Sequence, residues 1–371
     1  MLLHSRSIAI RVLALLPFQF LLDAHAVPSF ARQTGMECVS CHVSWPELTT
    51  VGRQFKLGGY TLMRPVLGDK RPLVSFSRDG DPPLIPLAGF LQTSVSRTAN
   101  TSSAGTDSSN FPDQKSLELQ QASIFLAGRL AEHVGSFIQY SYDGQSGKGQ
   151  IDNVDLRYAN TYKSDKLNVA YGISLNNNPT VSDIYNTTPV WGFPFASSSV
   201  TPSPVASTLI QEGLGQQVVG LNAYSMWNRT LYAELGAYAT ADGLFNILRE
   251  GVPRNEAAVL QGTAPYWRIA LQHEWQEGTQ SAMLGTFGIN AKKYPDPLSP
   301  SGPTDQYRDV GIDAQYQYVT DKHRFSAQWS SIRETQNLDG SFATLASDGV
   351  ISHLSTEMAK LTYYSISNSL V

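Results

Sequence analysis

Cys38-Val39-Ser40-Cys41-His42 places two thiols three positions apart, with an imidazole directly after the second. They are the only cysteines in the chain. At this spacing each thiol can form a thioether to a vinyl group on the same porphyrin edge, and the next histidine is held where a ring nitrogen can ligate the iron. In an exported chain, C-x-x-C-H is the attachment signature of haem c. A redox disulfide would need a thioredoxin-like βαβ pattern, which is absent here. A zinc site would need a second Cys or His pair, and none lies nearby. The expectation is one covalent haem c, with Cys38 and Cys41 as thioether positions and His42 as the proximal iron ligand. Met63 is the candidate distal ligand, and a methionine there would raise the reduction potential relative to a second histidine. Met36 is close in sequence to the motif, too close to be expected to fold over the ring, and any methionine also serves as a gap-filler.

The elements that must hold these groups are short. Pro28-Ser29-Phe30 can start a helix running to Thr34-Gly35. Ser44-Trp45-Pro46-Glu47 has the S-x-x-E pattern of a capping box. Leu48, Val51, Phe55 and Leu57 follow at helical spacing, and Gly58-Gly59 ends the run. This stripe is expected to cover a porphyrin face. Residues 27–83 bury too little apolar surface to stand alone comfortably, so a covalent cofactor would complete their core.

Residues 1–26 read as a signal peptide. Arg6 and Arg11 precede an apolar run from Val12 to Leu22, and Ala24-His25-Ala26 is an A-x-A cleavage site. Removing Arg6, Arg11 and Asp23 leaves 25 basic and 30 acidic side chains, a charge of −5. Without Lys/Arg runs, nucleic acid is not an expected partner. Charged residues make up only 16% of the 371, against seventeen Tyr, fifteen Phe and six Trp. Beyond residue 26 no stretch approaches the ~20 apolar residues of a spanning helix.

From residue 84 onward the chain alternates with period two. Leu167, Val169, Tyr171, Ile173 and Leu175 share one face, and Asn168, Ala170, Gly172 and Ser174 the other. Val310, Ile312, Ala314, Tyr316 and Tyr318 oppose Asp313, Gln315 and Gln317. Trp267 and Trp275 bracket Ile269, Leu271 and His273, the spacing of an aromatic girdle at two interfaces. About twelve such segments are expected, at 85–96, 116–130, 133–142, 152–163, 166–176, 216–227, 230–240, 264–276, 280–291, 306–319, 323–335 and 354–365. Links after even strands are tight and those after odd strands are mostly long. That asymmetry predicts an all-β chain, an outer-membrane antiparallel β-barrel preceded by a small α-helical haem c module. The division is 1–26 signal peptide, 27–83 monohaem module and 84–371 porin-like barrel. The last segment, with Lys360 at its centre, reads as the weakest, and a carboxyl-terminal truncation is expected.

Pro28–Tyr60 resembles the haem segment of outer-membrane cytochrome–porin fusions, and Asn176–Phe195 looks like a long-loop segment of that family. The resemblance implies a barrel of about sixteen strands, one haem c, and electron flow from extracellular Fe(II) or another donor to a periplasmic cytochrome c or copper protein. Outer-membrane lipid is then also a partner, with the haem module on the periplasmic side or within the lumen. Asp155, Glu234 and Asp313 are candidate lumen carboxylates for attracting Fe(II). The alternative is a porin for small solutes whose haem module acts as plug or sensor.

Overall fold

In the computed structural model, the described residues are 27–44, 46–63, 85–95, 117–144, 146–188 and 206–365. The expected signal segment, residues 64–83 and the last six residues lie outside them. Twelve strands form one antiparallel sheet in simple chain order. They are β1 (Leu87–Val95), β2 (Leu117–Ala131), β3 (Val134–Asp143), β4 (Lys148–Lys163), β5 (Asn168–Asn176), β6 (Val218–Trp227), β7 (Leu231–Thr240), β8 (Ala264–Trp275), β9 (Gln280–Lys293), β10 (Asp305–Val319), β11 (His323–Asn337) and β12 (Ile351–Ser365). All twelve expected segments are strands. β4 begins four residues earlier than its periodicity indicated, which shortens its link from β3. β12 is no weaker than its neighbours, because it pairs with β11 along its whole length, from Ile351 opposite Asn337 to Ser365 opposite His323. β1 and β12 form the two edges and are not paired with each other, so the sheet is open.

The tight hairpins follow from local chemistry. Asn228 and Arg229 join β6 to β7, both with positive φ, as the primed turns of two-stranded hairpins require.

Polarity across the sheet is inverted relative to a water-soluble one. Leu235 on β7 is 67% exposed and Leu284 on β9 is 60% exposed, and Ile173, Leu221, Ile269, Val310 and Ile312 lie on the same exposed face. The opposite face buries Asp155, Arg157, Asn222, Glu234, Arg268, Asp309, Asp313 and Glu334. The alternation read from sequence thus points its apolar rows outward.

Against the polar face lie α1 (Pro28–Thr34), α2 (Cys38–Cys41) and α3 (Thr50–Leu57). Residues 27–60, which carry these helices, reach strands across most of the sheet. Gln33 accepts from the amide of Arg129 on β2, and Tyr60 donates to Asp155 on β4. Leu57 accepts from Tyr224 on β6, and Arg53 donates to Ser281, Gln315 and Gln317 on β9 and β10. Glu47 accepts from Ser326 on β11. Twelve strands laid flat at ~4.8 Å spacing would span roughly 50 Å, which these short helices cannot cross. The sheet must therefore curl around the helices. They are held inside it and do not form a separate globule below. Gly135 on β3 shows how close the fit is, because a Cβ there would stand 2.1 Å from the carbonyl oxygen of Gly59.

The β5–β6 connection also folds inward, with the short helix α4 (Pro179–Ser182) at its start. Ile184, Tyr185 and Thr187 are fully buried. Gln315 and Gln328 both donate to the carbonyl of Tyr185. A long loop was legible in the sequence, but its inward course was not.

Candidate functional site

α1 starts at Pro28 and ends on Gly35 with φ 71°, as its proline and glycine predict. The expected capping box is not formed. α3 begins instead at Thr50, and Thr49 caps it by accepting from the amide of Gly52. Glu47 is taken by the sheet's inner face, accepting from Gln317 and Ser326. Both tertiary donors bond the same carboxylate oxygen, Oε1, and draw Glu47 away from the local cap.

α2 is the C-x-x-C turn itself. Thiols at i and i+3 on a helix share one face, and Cys38 and Cys41 both line one cavity together with His42. The cavity measures about 590 Å³, well within the size range of cofactor pockets. Phe30, Phe55, Tyr60, Phe90, Phe125 and Phe137 supply an aromatic lining. Phe30 stacks on Tyr60 at 5.4 Å and meets Phe55 edge-on at 5.0 Å.

The motif's backbone is pinned on several sides. The amide of His42 donates to Cys38, and the amide of Thr49 donates to Cys41 at 2.9 Å. Arg324 at the start of β11 donates to the carbonyls of Val39 and His42. α3 crosses so near that a Cβ on Gly52 would lie 2.1 Å from the carbonyl oxygen of Cys41. Burial lowers the His42 pKa to about 4, so its imidazole is neutral and carries a lone pair at ordinary pH. Burial also raises both thiols, Cys41 to about 11 with a contribution from Cys38.

Two thiols on one face, a neutral imidazole beside them and an aromatic cavity of this size fit a covalently held porphyrin. Of the expected apolar stripe, Leu48 and Phe55 line the cavity, Val51 is exposed, and Leu57 is buried near Tyr224. Met63 is buried but is not among the lining residues, whereas Met36 is. The sequence distance that counted against Met36 is overcome by the turn between α1 and α2.

The three candidate carboxylates all sit on the inner face, each already engaged. Asp155 accepts from Arg157, Tyr60 and Ser174. Glu234 accepts from Asn222 and Tyr232. Asp313 is bonded by Arg268 and Thr187. They stabilise buried arginines and tyrosines, and among the described residues no group of three or more His, Cys, Asp or Glu could hold a metal ion. His273 lies on the outer face, edge-on to Trp275 at 4.7 Å.

Reading the sequence missed the inward loop, Gly52 and Lys56. A glycine inside a helical run was the one available sign of close backbone approach. No family model, no curated protein and no solved structure matches the chain.

Proposed function

We propose that this chain is an outer-membrane c-type cytochrome that carries electrons from an extracellular donor, Fe(II) in the first instance, through one haem to a periplasmic cytochrome c or copper protein. The observation that carries this reading is the C-x-x-C-H turn facing an aromatic cavity inside a curled sheet whose outer face is apolar and whose inner face is charged. Apolar rows pointing outward are what lipid-facing strands require, and lipid further requires that the strands close on one another so that backbone groups pair internally. A bound haem would supply reversible one-electron chemistry at its iron. Cys38 and Cys41 would hold it, His42 would ligate the iron, and the aromatic wall would exclude water and help to set the potential.

The interior is occupied by α1–α3 and the β5–β6 loop, with Arg53, Arg157, Arg268, Tyr185 and Tyr232 fully buried. That filling supports transfer of charge over passage of solute, and so favours this reading over the porin.

The test is anaerobic mixing of the purified protein with Fe(II). The expected result is a Soret band that survives denaturation and shifts promptly to the reduced form. A protein without covalent haem, or one that leaves Fe(II) unoxidised while passing solutes through planar bilayers, would overturn the proposal.

A further inference from the structure

Lys56 lies one turn beyond Gly52 on α3, on the same face. The rise between them is about 6 Å, measured from the point where α3 touches Cys41. Lys56 lines the cavity with Cys38, Cys41 and His42, and it is the one Lys or Arg among the described residues that do so. Its ammonium donates to the carbonyl oxygens of Val181 and Asp183, both neutral acceptors. An ammonium has three donors, so these two bonds leave one.

The neighbouring carboxylates are committed elsewhere. Asp155 is paired with Arg157, and Asp183 lies 3.5 Å from Arg268 and accepts from the amides of Tyr185, Thr187 and Thr188. Glu234 is held by Asn222 and Tyr232. Burial, then repulsion from Arg157, lowers the Lys56 pKa to about 8, against the opposing pull of Asp155, Asp183 and Glu234. A half-buried cation at a cavity wall, bonded directly only to neutral oxygens, suits an anion in that cavity.

We propose that Lys56 pairs with a carboxylate of the cavity's ligand, a propionate of the haem, and so anchors the macrocycle at a point separate from its thioether tethers. The inference rests on the haem reading and adds a residue to it. Propionates leave the porphyrin on the edge opposite the vinyl-derived thioethers, so a second anchor removed from Cys38 and Cys41 along α3 suits that molecule. Lys56 would then fix the tilt of the ring and raise its potential, because a nearby cation favours the more negative, reduced state.

The experiment uses the full holoprotein as wild type, Lys56→Gln and Lys56→Arg, with midpoint potential and the resonance Raman propionate-bending band measured at one pH. Lys56→Gln is expected to lower the potential and shift the band, and Lys56→Arg to restore both towards wild type. Wild-type values in Lys56→Gln, with its Soret band intact, would overturn the pairing and leave the haem reading standing. A wild-type protein without covalent haem would overturn both. Should Lys56→Gln fail to fold, infrared difference spectra of wild type carrying ¹³C-labelled propionates decide the matter. An ionised, hydrogen-bonded carboxylate is expected, and an unbonded or protonated one on both propionates refutes it.

Discussion

Gly52→Ala tests whether α3 must lie against the C-x-x-C-H turn. The added methyl would meet the Cys41 carbonyl oxygen at 2.1 Å, the Cys41 carbonyl carbon at 3.0 Å and Leu48 Cδ2 at 3.1 Å. Real Cβ contacts essentially never fall below 3.0 Å, so the helix and the turn must part by about 0.9 Å. The Cys41 oxygen cannot simply rotate away, because it accepts the Thr49 amide, and Thr49 also caps α3. Overpacking of this kind costs about 1–3 kcal/mol. The same substitution improves helix propensity by about 1 kcal/mol. The net expectation is a destabilisation of up to about 2 kcal/mol, the contact outweighing the propensity. Denaturant titration of the detergent-solubilised protein reads this directly, followed through the Soret band that the proposed haem would supply if His42 ligates its iron. The midpoint should fall in Gly52→Ala and stay near wild type in Gly89→Ala, where the nearest atom to a new Cβ is 3.9 Å away. A Gly52→Ala protein at or above the wild-type midpoint, with an unchanged spectrum, would show that the close approach of α3 to Cys41 is not real.

Leu235→Arg, in the middle of β7 at a position 67% exposed, should cost about 2–4 kcal/mol for folding into bilayers if this face meets lipid. Facing water, the same change would stay within about 0.5 kcal/mol, so urea titrations in liposomes separate the two. Arg268→Met leaves Asp183 and Asp313 buried without their shared cation. A loss of about 3–5 kcal/mol is expected, read as collapse of the folded yield, with Arg254→Met at an exposed turn position as a neutral comparison. Tyr60→Phe removes a 2.6 Å hydrogen bond to Asp155 but keeps the ring packed on Phe30 and Phe55. Stability should fall by about 1.5–3 kcal/mol with haem content unchanged. Haem loss in that variant would mean that the hydroxyl, and not the ring, shapes the cavity.

What was legible in the chain alone was whatever depends on neighbours within a few residues. Strand alternation repeats every two positions, so all twelve strands, the outward row from Trp267 to Trp275 and the inward places of Asp155, Glu234 and Asp313 followed from the sequence. The proline and glycine that bracket α1, and the thiols of α2 on one helical face, are equally local. What only the tertiary structure decided were contacts between distant residues. Of the carboxylates read as cation sites, two are paired with arginines, Asp155 with Arg157 and Asp313 with Arg268, 45 positions away, while Glu234 is held by Asn222 and Tyr232. The capping box lost Glu47 to Gln317, 270 positions away. Met36 came to the cavity wall and Met63 did not, because a turn sets where a flexible side chain ends up and sequence distance does not. A period is a property of the strand, whereas the partner of a buried charge is a property of the folded interior. Desolvation favours a hydrogen-bonding or charged partner for each buried charge, and only the curl of the sheet determines which partners are within reach.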